Sequence, residues 1–322
     1  MRAAGICRTD VTLVNGFGFA KSPMTPGHEF AGEVDEIGTS AKGRFERGDR
    51  VLVYPIGSCG ACPNCLKGME TRCLRHPFDS DYGMNTDGGF AEFCKVEANR
   101  LIPLPKEIDW DFAATLGCAG LTAYHAVKCT ANVREGENVG VYGIGGIGLY
   151  AAQIARLAGA RAIGIGRSEA KLKMAQALGA DSVVSGAGRS GPDIVADIRS
   201  ASGGHGVDVM LDFVVNEDSV GNSLGSAIPP RPGAVANGGR IVTVGAATDP
   251  AVGYSPNTIL LKELSILGTV GGSRKDLQEL VELAKTNKIR SAVAKRITLE
   301  EVNDGMLMLE RGAIAGKCCV IP

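Results

Sequence analysis

The stretch NVGVYGIGGIGLY (residues 138–150) decides the fold. Its first five residues read as a β-strand, and AAQIARLAGA (151–160) just beyond it reads as a helix. Between them Gly143, Gly145 and Gly148 stand in G-x-G-x-x-G spacing. On their own, three glycines need mean no more than a tight turn. Directly after a strand and opening a helix, they match a dinucleotide cradle. The first turns the chain, the second lets backbone approach a pyrophosphate, and the third lets helix meet strand. Gly146 and Ile147 then lie at a helix N-terminus that faces the phosphates.

Outward from this turn the pattern alternates. RAIGI (161–165) reads as a strand, and Ser168 as the N-cap of a helix that Gly179 closes. Further strands follow at 181–184, 207–213, 240–244 and 264–270. Six strands with helical crossovers predict a doubly wound parallel sheet. Residues 227–239 read as a loop, because three prolines cannot sit in a central strand. Before about residue 115 the chain is irregular. Short apolar runs such as DRVLVYP (49–55) and GGFAEFCKV (88–96) predict strands of a small β-rich domain. A length of 322 residues suits two domains.

Formal net charge is −1, from 34 Lys+Arg against 35 Asp+Glu. That balance provides no broad basic surface for nucleic acid or an anionic membrane. Apolar runs end well before about 18 residues, so no membrane-spanning helix is expected. The first ten residues, MRAAGICRTD, lack the pattern of a signal peptide, which points to the reducing cytoplasm. There Cys59, Cys62, Cys65 and Cys73 need a reason to cluster. Their spacing, C-x2-C-x2-C-x7-C, departs from the ferredoxin run in its last gap and in Leu74 after the final cysteine. Four thiolates on a short Gly- and Pro-bearing loop suit a structural zinc.

A second metal site rests on scattered residues. Cys7, His28 and Cys118 are each unremarkable alone, since buried cysteines are common and a single histidine is more often a core or surface residue. Taken with the rest, the chain resembles the zinc-containing alcohol dehydrogenases of the medium-chain dehydrogenase/reductase superfamily. The pieces that carry the likeness are GICRTD (5–10), PGHEFAGEVDEIG (26–38), ERGDRV (46–51), the four-cysteine loop, DGGFAEF (87–93), CAGLTAY (118–124), GIGGIG (143–148), KLKMAQALGAD (171–181) and GGRIVTVG (238–245). The resemblance implies an α/β protein with a Rossmann cofactor domain over residues 117–271. A GroES-like catalytic domain would span 1–116 and 272–322. It also implies two zinc ions per chain, the catalytic one on Cys7, His28 and Cys118 and the structural one on the four-cysteine loop. Glu29 would lie behind the catalytic metal and Asp10 would hydrogen-bond His28. Thr9 would touch the substrate oxygen, Arg8 and Lys317 the cofactor phosphates, and Thr122 the nicotinamide pocket. Val244 and Gly245 would also contact the cofactor. The expected reaction is hydride transfer between an alcohol, or its aldehyde or ketone, and a nicotinamide cofactor. The expected assembly is a homodimer or homotetramer paired through strand 264–270.

Three departures from the family matter, one of them the prolines of 227–239, which lengthen a loop near the end of the cofactor sheet; the cofactor-preference position, Gly166, is a further point. The chain starts almost inside GICRTD, so the N-terminal barrel is expected to be shortened. Thr12 stands where many members carry a proton-relaying histidine. Gly166 stands where an NAD-specific site places a carboxylate for the ribose hydroxyls. Arg167 follows it, with Ser168 and Lys171 near, a set suited to a 2′-phosphate and hence to NADP over NAD. Two other readings remain at this level. One is an enoyl-thioester or quinone-type reductase with only the structural zinc. The other is a nucleotide-binding protein without activity.

Overall fold

The computed structural model describes residues 1–16, 22–77, 80–245 and 252–322. In chain order its strands are β1 (Ala3–Ile6), β2 (Glu29–Glu33), β3 (Arg50–Val53), β4 (Leu101–Pro103), β5 (Asn138–Tyr142), β6 (Arg161–Gly166), β7 (Ser182–Ser185), β8 (Val207–Asp212), β9 (Val235–Thr243), β10 (Ser265–Gly268), β11 (Val293–Ile297) and β12 (Lys317–Val320). The chain divides into two compact units, Met1–Leu121 with Gly271–Pro322, and Thr122–Val270.

The first unit is built on a six-stranded sheet of order β11-β12-β1-β2-β3-β4. Only the β11–β12 pair is parallel. β1 reads AAGI and is buried throughout, so it shows no polar alternation. Its small residues leave room for what lies across from it: Gly5 pairs with Glu29. Phe30, Val53, Phe90, Ile297 and Val320 fill the core of this sheet. The strand expected at 88–96 does not form. Gly88 instead lies so close to Gly27 that a Cβ would sit 2.3 Å from the Gly27 carbonyl oxygen. The segment bonds irregularly to residues 25–27 through Gly88 N, Gly89 N and Phe90 N.

The boundary expected at 116/117 also shifts. Residues 117–121 belong to the first unit. They form a wide π-helical turn, Leu116–Gly120, in which Gly117 packs at contact distance from the Val53 carbonyl and Gly120 faces Leu280. A side chain at Gly120 would come within 2.9 Å of Leu280.

The second unit is a parallel sheet of order β10-β9-β8-β5-β6-β7. Strand order reverses between β5 and β8, the point where such sheets bind ligands at their carboxyl ends. The glycine turn lies at the carboxyl end of β5. Gly143 has φ +100°, which favours glycine, and a Cβ on Gly148 would lie 2.5 Å from the Gly143 carbonyl oxygen. Nothing stands within 4 Å of the Cβ that Gly145 lacks, so backbone is open to a ligand there. The helix Gly146–Leu157 follows. The loop expected over 227–239 is shorter than its composition implies. All three prolines precede Gly233, and β9 begins at Val235, absorbing residues 236–239 in a bulge against β8.

Candidate active site

β1 and β2 bring the first site together. Cys7 follows β1 directly and His28 precedes β2 directly, so the antiparallel register sets them at one end of the pair. Cys7 caps the helix Arg8–Val14, and Asp10 in its first turn is fully buried. One Asp10 oxygen accepts from the Cys7 backbone N–H at 2.7 Å, and the other lies 3.0 Å from His28 Nδ1. The carboxylate thereby orients the imidazole and leaves Nε2 to face inward. Cys118 comes from the π-helical turn, an irregularity frequent at functional sites. Ligand atoms of Cys7, His28, Glu29 and Cys118 all lie within 4.8 Å of one another.

The electrostatics of this cluster are those of a cation site. The Cys118 thiol hydrogen-bonds Cys7, which holds the Cys7 pKa well below the ordinary thiol range and drives that of Cys118 up. Burial lowers the His28 imidazole, but the Asp10 carboxylate and Cys7 outweigh it and hold its pKa raised. Burial pushes Glu29 up to about 7, against the pull of Lys317. Glu29 Oε2 has no hydrogen-bond partner although it is buried. Two sulfurs, an oriented imidazole and an unsatisfied carboxylate oxygen form a donor set that fits zinc. The fit depends on Gly5, a residue that sequence reasoning passed over, because a Cβ there would come 2.4 Å from Glu29 Oε2.

Lys317, which the resemblance sets against the cofactor phosphates, lies beside Glu29. Its ammonium is buried and donates to Glu29 Oε1 at 2.7 Å and to the Ile6 carbonyl at 2.8 Å. Burial works against its charge, yet Glu29 and Cys7 hold its pKa up. Lys317→Met should therefore leave the buried Glu29 carboxylate without its counter-ion and destabilise the protein by about 3–5 kcal/mol. The defect should shrink below pH 5. Below pH 5 the folded Glu29 carboxyl, raised to about 7, is protonated and needs no counter-ion, whereas the penalty grows as pH rises through 7 and the buried group ionises. Urea titrations at pH 5 and pH 8 check this, and equal losses at both would contradict it. Thr9 places its hydroxyl 3.8 Å from Cys7 Sγ. Arg8 is exposed and reaches the Glu310 carbonyl at 3.3 Å. The Thr12 hydroxyl donates to the Arg8 carbonyl, closing back onto its own helix.

The four-cysteine loop is a second convergence. Sulfur–sulfur distances are 3.4 Å for Cys62–Cys65, 3.9 Å for Cys59–Cys65 and 4.0 Å for Cys62–Cys73. A disulfide would need about 2.05 Å. Tetrahedral zinc with bonds of about 2.3 Å to sulfur has edges of about 3.8 Å. Backbone N–H groups of Cys65 and Leu74 point at Cys62 and hold its pKa down to about 6. Burial pushes Cys65 up to about 12. The loop fits one zinc.

In the second unit, Gly166 ends β6 with room beside it: the atom nearest to an added Cβ is a Leu172 methyl at 3.4 Å. Arg167 is exposed, and Ser168 sits at the N-cap of Glu169–Leu178 without using its hydroxyl to cap it. Lys171 lies in the first turn of that helix and Gly179 closes it at φ +117°. Glu169, the nearest carboxylate in sequence, pairs with Lys173 at 2.7 Å on the surface. Val244 and Gly245 both donate their N–H to the Asp212 carbonyl, and Thr122 is buried.

Two family models match the chain in turn. Residues 1–106 match the alcohol dehydrogenase GroES-like domain, and residues 146–286 the zinc-binding dehydrogenase family. An alcohol dehydrogenase of Geobacillus stearothermophilus is 34% identical over 320 residues, covering 98% of this chain and 88% of that protein. A NAD-dependent alcohol dehydrogenase of Sulfolobus acidocaldarius is also 34% identical, over 98% of this chain and 88% of its own. The crystal structure of the Aeropyrum pernix alcohol dehydrogenase superposes with a TM-score of 0.87 at 34% identity, covering all of this chain and 90% of that one. Two family models matched in order, and relatives a third identical across nearly the whole chain, make this protein a member of the zinc-type alcohol dehydrogenases of the medium-chain dehydrogenase/reductase superfamily, and so an oxidoreductase.

Proposed function

We propose that the protein interconverts a small primary or secondary alcohol with its aldehyde or ketone, with one catalytic and one structural zinc and with NADP favoured over NAD. The observation that carries the reading is the convergence of Cys7, His28 and Cys118, with Asp10 fixing the imidazole. Bound there, zinc supplies a Lewis acid with an open position that lowers the pKa of an alcohol, and the nicotinamide supplies the hydride acceptor. The chain does the rest. Asp10 holds His28 in the tautomer that leaves Nε2 unprotonated. The Thr9 hydroxyl accepts the alcohol proton and starts it outward. Glu29, neutralised by Lys317, sets the charge behind the ligands. Gly143, Gly145 and Gly148, with the N–H groups of Gly146 and Ile147, hold the pyrophosphate, and Arg8 adds a cation to it. Thr122, Val244 and Gly245 line the nicotinamide end.

Gly166, Arg167, Ser168 and Lys171 carry the cofactor preference. Gly166 removes the charge that would repel a 2′-phosphate, and an arginine fork beside it contributes about 1.5–3 kcal/mol, or roughly ten- to a hundredfold in affinity. The Sulfolobus relative's name specifies NAD, so the ribose position is the place to test this chain. A higher kcat/KM with NADP than with NAD across a panel of alcohols and aldehydes is the expected result. Gly166→Asp combined with Arg167→Ala should move the preference toward NAD. The reverse order in the unmodified enzyme would overturn the NADP assignment, and turnover of no substrate with either cofactor would overturn the activity.

The same reading places the protein in the cytoplasm as a dimer or tetramer. No disulfide forms among the described residues, and no helix among them is long and apolar enough to cross a membrane. β10 is the edge of its sheet, shorter than the span expected at 264–270, and exposed Leu260, Leu261 and Val270 flank it. An apolar edge of this kind needs covering, and pairing with its symmetry mate would do so. Light scattering at micromolar concentration should give at least a dimer mass, and a monomer would contradict this.

A further inference from the structure

We propose that Asp212 is a positioning residue for the cofactor, acting through the strained turn at residues 213–215. Asp212 is the last residue of β8 and is 1% exposed. One of its carboxylate oxygens accepts from Val214 N at 2.9 Å and Val215 N at 3.0 Å. The other accepts from Ser219 Oγ at 2.7 Å. Ser219 in turn accepts from Asn216 N, the cap of the helix Glu217–Leu224. The carboxylate thus ties the strand end, the turn and the helix start into one knot.

Inside the knot Val215 has φ +50° and is 4% exposed. A β-branched residue avoids that conformation, so it persists only because its surroundings impose it. The Asp212 carboxylate is the group that receives the Val215 N–H.

The turn is a wedge between two elements expected to hold the cofactor. On one side, a Cβ added at Gly143 would come within 2.8 Å of a Val214 methyl. On the other, a Cβ at Gly245 would come within 2.6 Å of the Phe213 carbonyl oxygen and 3.3 Å of a Val215 methyl. Phe213 N also donates to the Tyr142 carbonyl, at the residue before Gly143. The glycine turn and the end of β9 therefore take their spacing from residues 213–215, and those take their shape from Asp212. The inference rests on the reading that the glycine turn holds a dinucleotide.

The test uses the zinc-loaded enzyme, with NADPH and NADH as probes. Affinity is read by nicotinamide fluorescence well below each variant's Tm, and Tm and zinc content are measured alongside. Asp212→Ala should weaken affinity for the preferred cofactor by about ten- to a hundredfold, the range of a buried charged hydrogen bond, with zinc content unchanged. Asp212→Asn keeps an acceptor for Val214 and Val215 and should restore most of that affinity. Val215→Gly lets the turn take φ +50° without strain, at the cost of the buried valine side chain. Added to Asp212→Ala, it should recover part of the lost affinity. Should Asp212→Ala not fold, Ser219→Ala removes one of the three donors and should still weaken binding severalfold. A lower Tm with unchanged affinity in Asp212→Ala or Ser219→Ala would make the role merely structural and overturn the proposal. So would a double variant that binds no better than Asp212→Ala alone. An unmodified enzyme that binds neither cofactor would overturn the dinucleotide reading itself, and this inference with it.

Discussion

Cys118→Ala should lower the zinc content from two ions per chain to one and reduce turnover by about a thousandfold or more, while the protein stays folded. The size of the loss follows from what the metal contributes. Lewis-acid stabilisation of developing charge is worth several kcal/mol, and each 1.36 kcal/mol is a factor of ten in rate. With the Cys118 sulfur gone, the site keeps only Cys7 and His28 of its three expected ligands, too few to hold zinc while leaving a position open. The fold should survive because Cys118 contributes chemistry rather than packing. The turn that carries it is anchored by Leu116 and Gly120, and the Cys118 side chain is itself partly exposed. Elemental analysis, circular dichroism and turnover on the same sample separate these effects. Unchanged zinc content, or activity within tenfold of the unmodified enzyme, would remove Cys118 from the site.

The two candidate metal sites differ in how far they could be read from sequence. The four-cysteine loop is local: fifteen residues hold all four sulfurs, and spacing alone points to one cluster. Cys7, His28 and Cys118 are spread over more than a hundred residues, and only the pairing of β1 with β2 and the wide turn at Leu116–Gly120 join them. No periodicity encodes that convergence, so it entered through resemblance. The parallel sheet was legible because each strand is followed by a helix with its own start and stop residues, such as Ser168 and Gly179. The strand expected at 88–96 was not, because Gly88 and Gly89 are there for close approach to Gly27 and Phe30 rather than for a ladder. The contact of Lys317 with Glu29 was not legible for a related reason. Lys317 and Glu29 are 288 residues apart, and only the pairing of β12 and β2 on either side of β1 brings the ammonium onto the carboxylate. Asp212 and Val215 lie in an ordinary-looking VDVMLDFVVNED, where nothing in residue type announces a left-handed valine.

Cys73→Ala should remove the other zinc and lower the stability of the whole protein, the opposite pattern to Cys118→Ala. Between Cys59 and Cys73 the chain makes only two short helical turns, Pro63–Leu66 and Glu70–Arg72, and neither buries a residue. Cys62 is the only side chain of the four cysteines that is fully enclosed. Apolar burial therefore cannot hold this loop closed, and converging thiolates repel one another unless a cation lies among them. Structural zinc supplies about 10–16 kcal/mol in small finger domains, where binding and folding are one event. Even a share of about 3 kcal/mol would lower Tm by roughly 6–12 °C in a unit of this size. The same argument fixes the response to chelation. Metal displaces protons from thiols, and Cys65, whose pKa is pushed up to about 12, must lose one to bind. Affinity should therefore fall as pH falls, and EDTA should strip the loop faster at pH 6 than at pH 8. The melting point of the chelated unmodified enzyme should then approach that of Cys73→Ala, while EDTA should barely move Cys73→Ala itself. Iron with visible absorbance in the purified protein would rule out zinc in the loop. A Cys73→Ala variant with unchanged zinc content and Tm would show that the loop is held by something other than a metal.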